Sequence, residues 1–206
     1  MVAPVDALAT LAAAGFDLAH TFDAAIAARA PGLAILDGTA RLGILVGNTR
    51  ALWPAFEAAL RDPRLAADPD PLDRYVERAI AASFAPATRI YFGHQRYAGA
   101  FLPLQRLAQL TGLGAIAPSQ LVIHPIYGPW FALRAVVVLD GAPPARQPID
   151  QPCRCAAACT DAFARAQHSH DPRDWLAVRE RCALQAFRYP DDQIAYHYAR
   201  MLRRAP

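Results

Sequence analysis

Apolar positions along the chain alternate between short continuous runs and helical spacing. Arg41 to Val46 reads as a buried strand, and Gly47-Asn48-Thr49 as the turn that leads into an amphipathic helix from Arg50 to Arg61. Asp68-Pro69-Asp70-Pro71 breaks the chain, after which Leu72, Val76, Ala79 and Ile80 recur on one helical face. Arg89 to Phe92 predicts the next strand and Ala98 to Leu110 a helix. Thr111-Gly112-Leu113-Gly114 is the loop before a strand at Leu121-Val122-Ile123. Trp130 to Leu139 is the strongest strand signal. His124-Pro125-Ile126-Tyr127-Gly128-Pro129 separates these last two runs and predicts a wide hairpin or bulged turn. At the start, Asp6 is placed to cap a short Ala/Leu helix ending at Gly15. Beyond Gly141-Ala142-Pro143-Pro144 the spacing is helical, at about 155–167, 173–185 and 190–203, with Pro190 suited to a first turn and Asp191 and Asp192 at the positive end of the helix dipole. The pattern predicts an α+β fold, a mixed sheet carrying helices, with a core over residues 1–150 and a Cys-containing helical segment over 151–206 packed on it.

Composition narrows the function classes. The 206 residues are 54% hydrophobic, ample for a sizeable core, and the 21 basic and 18 acidic side chains leave a net charge of +3. That charge is small and dispersed, which argues against a nucleic-acid surface. Every basic residue is Arg, so each cation is a planar fork matched to carboxylates and phosphates. Met1-Val2-Ala3-Pro4-Val5-Asp6 lacks the basic and apolar regions of a leader, and no run of about 18 apolar residues follows, so the expectation is a soluble cytoplasmic protein without a membrane partner.

Four arrangements could carry chemistry. The stiff segment from Ile123 to Arg134, with aromatics on either side of Gly128-Pro129, could present backbone and ring edges to a large planar ligand, or be an ordinary sheet connection with its Trp and Phe in the core. Cys153, Cys155 and Cys159 cluster, with Cys182 farther on. Their spacing departs from the ferredoxin run, which leaves inert thiols, a four-cysteine iron–sulfur cluster or a zinc site as alternatives. His168-Ser169-His170 reads as a solvated turn or a two-His metal site. Gly47-Asn48-Thr49-Arg50 reads as a capping turn or as amides that could hold a phosphate at a helix start.

The first of these is also where a resemblance lies. "IHPIYGPWFALRAVVVLDG" resembles the corresponding segment of the cobalamin-processing family of the methylmalonic aciduria and homocystinuria type C protein. Asp70-Pro71-Leu72-Asp73-Arg74-Tyr75-Val76, "RYAGAFLPLQR" and Arg188-Tyr189-Pro190-Asp191-Asp192-Gln193-Ile194-Ala195-Tyr196 are similar to three further motifs of that family, in the same order. The resemblance implies a nitroreductase-like fold that binds cobalamin with its lower base displaced. It implies removal of the upper axial ligand by reductive decyanation or glutathione-dependent dealkylation, as a cyanocobalamin reductase or alkylcobalamin dealkylase, in a monomer or homodimer that serves a downstream cobalamin-accepting protein. The alternatives are a non-catalytic cobalamin chaperone and an iron–sulfur redox protein similar to epoxyqueuosine reductase, whose cobalamin-binding domain carries a similar hairpin, although an iron–sulfur cluster is not expected here. Carried onto this sequence, the corrin would meet Gln105, Ile123, His124, Trp130, Phe131, Ala132 and Leu133, and glutathione would meet Arg134, Arg179 and Arg204 or its neighbour Arg203. Guanidinium forks suit the two glutathione carboxylates, and a nearby cation favours the thiolate. Arg96, Leu102, Pro103 and Leu104 depart from the family pattern and would reshape the pocket wall.

Overall fold

The computed structural model describes residues 4–36, 38, 40–145, 158–169 and 171–204. In chain order the elements are α1 (Pro4–Ala13), β1 (Leu18–Asp23), α2 (Ala24–Ala27), β2 (Leu42–Asn48), α3 (Leu52–Ala59), α4 (Pro63–Ala66), α5 (Pro71–Ala82) and β3 (Arg89–Phe92). There follow β4 (Arg96–Tyr97), β5 (Ala100–Phe101), α6 (Leu104–Thr111), β6 (Ala115–Ile116), β7 (Val122–Ile123), β8 (Ala132–Leu139), α7 (Ala158–Ser169), α8 (Pro172–Glu180) and α9 (Asp191–Arg204). The result is the expected α+β architecture. Its main sheet has the order β1-β2-β8-β3 and is antiparallel throughout.

The two central strands explain the continuous apolar runs. Leu45, Val136 and Val138 face one core, built with Leu18, Phe22 and residues of α2 and α6. Ile44, Val46, Ala135 and Val137 face a second, built with α1, α3 and α5. A sheet covered on both faces has no solvent side, so the usual alternation of apolar and polar residues disappears from its centre. Aromatic side chains tie α9 to the second core: Trp53 donates from Nε1 to Asp192 Oδ2 at 2.8 Å, and its ring lies 5.3 Å from that of Tyr196.

Several boundaries differ from the sequence expectation for physical reasons. Asp6 lies inside the first turn of α1 rather than before it, while Gly15, at φ +86°, does end that segment. Ala98 and Gly99 both take positive φ and turn the chain between β4 and β5, so the helix expected from Ala98 starts only at Leu104. β7 pairs with β6 and not with β8, so the connection between the two runs joins separate sheets. It closes on itself through reciprocal backbone hydrogen bonds of 2.9 Å between His124 and Gly128. Pro190 precedes α9 and accepts the Ile194 N–H, while α8 ends at Glu180, short of the expected 185.

Candidate functional site

Arg134 occupies the one irregular point in the pairing of β2 with β8. Val46 pairs with Ala135 and Gly47 with Leu133, so Arg134 is the extra residue of a β-bulge. The bulge reverses the sides of the strand: Phe131 and Leu133 belong to the first core, whereas Ala135 and Val137 belong to the second. Gly47 permits this approach, because a Cβ there would lie 2.6 Å from the Ala132 carbonyl oxygen. On the other side of β8, the Gly93 N–H donates to the Arg134 carbonyl at 2.7 Å.

The Arg134 side chain is thereby turned toward α5 and α9, with Tyr189, Asp73, Arg179 and Tyr196 as electrostatic neighbours. Its Nε donates to Asn48 Oδ1 at 2.7 Å, and Nη2 is buried without a hydrogen-bond partner. Burial is the main influence on the guanidinium and holds its pKa below the ordinary value, although a guanidinium stays charged at neutral pH. Three more buried polar atoms without partners belong to the same neighbourhood: Trp130 Nε1, Tyr189 Oη and Gln193 Oε1. The Trp130 and Tyr189 rings meet edge to face at 5.6 Å, and Arg179 Cζ sits 5.9 Å from the first and 5.7 Å from the second. Burial pushes the Tyr189 hydroxyl upward against the opposing influence of Arg179 and Arg134, so it is a neutral donor. Orphaned buried polar groups are individually costly and rare. Arg134 Nη2, Trp130 Nε1 and Tyr189 Oη are potential donors in a buried polar neighbourhood that also holds Arg179, whose positive charge favours an anion.

Arg179 also lines an open cleft of about 240 Å³ with Leu104, Gln105, Leu121, Val122, Pro129, Phe131, Ala132 and Leu133. Five of the residues expected to touch ligand, Gln105, Phe131, Ala132, Leu133 and Arg179, therefore share one wall. Trp130 lies behind that wall, fully buried against Tyr189 and Ile194. Ile123 faces Cys182 in a small separate cluster. His124 accepts the N–H groups of Ile126 and Tyr127 through Nδ1 and stacks on the Tyr127 ring at 4.4 Å. Burial, helped by His20, lowers its pKa to about 4, so the ring is neutral and braces the turn. Arg203 and Arg204 fall in the last turn of α9, beyond the residues whose side chains are described.

No protein-family model matches the chain, and no curated protein matches it in sequence. Among solved structures it is similar to the B12-trafficking protein CblC of C. elegans, a homologue of human MMACHC, at 15% identity and a TM-score of 0.61 over 95% of this chain and 92% of that one. The chain has the CblC fold. Within it, the remaining sequence candidates separate. Cys159 and Cys182 are buried and line one small cavity with Ser119 and Val178, while Cys153 and Cys155 lie outside the described residues. No group of three or more metal-ligating side chains occurs among the described residues. His168 and Ser169 end α7 as helix rather than as the expected turn, and His170 lies outside the description. In Gly47-Asn48-Thr49-Arg50 the Thr49 amide is already taken, because Asp17 accepts its N–H at 2.7 Å and its hydroxyl as well. Asn48, Tyr189 and Gln193 were not expected at the site. Their signal was a polar side chain at the end of an apolar strand, and a motif whose order matched the family but whose burial was not visible.

Proposed function

We propose that this protein binds cobalamin in the cleft beside β8 and removes its upper axial ligand, with glutathione as the thiol in dealkylation. The observation that carries the reading is the adjacency of an apolar-walled cleft to a buried polar neighbourhood in which Arg134 keeps an unpartnered Nη2, with Arg179 next to both. The CblC fold and the four motifs in family order support it further.

The residues suit such a substrate. Leu104, Leu121, Val122, Phe131 and Leu133 offer an apolar surface to one face of a corrin, and the exposed Gln105 offers an amide to the polar groups at its rim. A cleft of about 240 Å³ would cover part of a corrin rather than enclose it. Residues 1–150 would supply this surface, and residues 151–206 would close it from the side of Arg179. Arg134 and Arg179 would bind the glutathione carboxylates by charge-assisted hydrogen bonds and favour the thiolate. In dealkylation the thiolate sulfur bonds to the alkyl carbon, the carbon–cobalt bond breaks with its electron pair left on the metal, and a thioether departs. Decyanation would require an electron from an external reductant and would release cyanide. Among the described residues no helix is long and apolar enough to cross a membrane.

Anaerobic incubation of the protein with methylcobalamin and glutathione tests the reaction by mass spectrometry. S-methylglutathione in amounts that follow the protein is the expected product. Corrin that is retained without any thioether would replace the reaction with a carrier role, in line with the trafficking protein that shares the fold.

A further inference from the structure

Several arginines among the described residues are held by carboxylates. Arg41 meets Asp23 at 2.7 Å, Arg173 meets Asp171 at 2.7 Å, and Arg188 meets Glu180 at 3.0 Å and Asp191 at 2.8 Å. Arg134 is different. The acceptor of its Nε is the neutral amide of Asn48, which is itself fully buried. Two bonds fix how that amide is turned: its Nδ2 donates to the Thr49 carbonyl at 2.8 Å, so its oxygen is the atom left to face the guanidinium. Thr49 in turn is fastened by its N–H to Asp17 at 2.7 Å. An inverted amide would set its NH₂ against the guanidinium and its oxygen against a carbonyl, so the local pattern admits one orientation.

A carboxylate at position 48 would also accept from Arg134 Nε, but it would give up the bond to the Thr49 carbonyl and would cancel the charge of the guanidinium. The amide holds the fork in place without adding a second negative charge to that of the neighbouring Asp73. We propose that Asn48 is the positioning residue of the anion site: it aims the Arg134 guanidinium, with its unpartnered Nη2, at a ligand carboxylate without neutralising it. This rests on the reading that the buried polar neighbourhood of Arg134 receives a carboxylate of glutathione. A simple structural role for Asn48 would make affinity follow stability across substitutions. The positioning role makes them diverge, because the fold depends on the bonds to Arg134 Nε and to the Thr49 carbonyl, whereas the ligand depends on the net charge.

The test compares Asn48→Asp and Asn48→Ala with the unmodified protein, measuring Tm and the glutathione Kd by calorimetry. Asn48→Asp, which gives up the bond to the Thr49 carbonyl but keeps an acceptor for Nε, should fold with a lowered Tm and bind glutathione about 10- to 100-fold more weakly, the scale of a lost charge-assisted bond. Asn48→Ala, which leaves the guanidinium without an acceptor, should be the less stable variant and the better binder of the two. Affinity that falls in the same order as Tm, including an Asn48→Asp variant that does not fold, would overturn the proposal. So would unchanged affinity in Asn48→Asp. If the unmodified protein binds no glutathione, the thiol reading and this proposal fall together. If it binds and the variants follow stability, only the proposal falls.

Discussion

Two arginine-centred regions lie on the same side of the sheet and have opposite bookkeeping of charge. Around Arg74 on α5, every group has a partner: Arg74 donates from Nε to Asp68 at 3.2 Å and from Nη1 to Glu77 at 2.8 Å, and Glu77 also accepts from Gln95 at 2.7 Å and lies 3.0 Å from His94 Nε2. Burial disfavours the Glu77 carboxylate, yet these hydrogen bonds and Arg74 hold its pKa below the ordinary value. Around Arg134 the guanidinium has one neutral partner, and Trp130, Tyr189 and Gln193 each keep a buried polar atom unmatched. The first network is closed and ties α5 to the turn after β3. The second is open in the chemical sense, and a small anionic ligand would complete it. Arginine content alone, uniform along this sequence, does not separate the two. The identity of the acceptor does.

The largest effect on this contrast should come from the backbone that creates it. Gly47→Val would drive a side chain into the Ala132 carbonyl and the Leu18 side chain, at contacts of 2.6 and 3.0 Å already for a Cβ. We expect a loss of about 3 kcal/mol in stability by denaturant titration, the upper end for overpacking, together with loss of glutathione binding. A variant of unaltered stability would mean that the bulge does not depend on this glycine.

Arg134→Ala and Arg74→Ala form a matched pair. The first should weaken glutathione binding by about 10- to 100-fold and leave the corrin spectrum of the bound protein unchanged. The second removes two surface ion pairs, to Asp68 and Glu77, and should leave stability almost unchanged with no effect on glutathione. Equal losses of thiol and corrin binding in Arg134→Ala would make Arg134 a structural residue and erase the contrast.

The smallest effect concerns the turn that carries the apolar wall. His124 has a pKa of about 4 in the fold against 6.5 outside it, so the unfolded chain binds the proton first as pH falls. Its stabilising contribution is complete above pH 6.5 and is lost between about 6.5 and 4. Because the ring is partly exposed, we expect a decline on the order of 1 kcal/mol across that window. His124→Asn, which keeps an acceptor for the Ile126 and Tyr127 amides, should flatten this part of the pH–stability curve. A slope equal to that of the unmodified protein would assign the titration elsewhere.

Much of this arrangement was legible in the sequence, for reasons that differ by element. The β3 strand and the runs of β2 and β8 were visible because a sheet buried on both faces leaves an unbroken apolar record. β1 was missed, since Leu18–Asp23 mixes His and Thr with its two buried positions. The hairpin of β4 and β5 was hidden inside a helical spacing that only the positive φ of Ala98 and Gly99 interrupts. At the site, Arg134 and Arg179 were marked by motif, but the bulge that turns Arg134 inward depends on a register between strands far apart in sequence. Asn48 could not be distinguished from an ordinary turn residue for the same reason. Its function depends on what it faces across the sheet.

The central claim, that the cleft beside β8 holds a corrin, is tested most directly by the absorption spectrum of cyanocobalamin or methylcobalamin mixed with the protein. A shift to the form with the lower base displaced, saturating at one corrin per chain, is the predicted result. A spectrum unchanged at micromolar protein, with no accompanying rise in Tm, would contradict it.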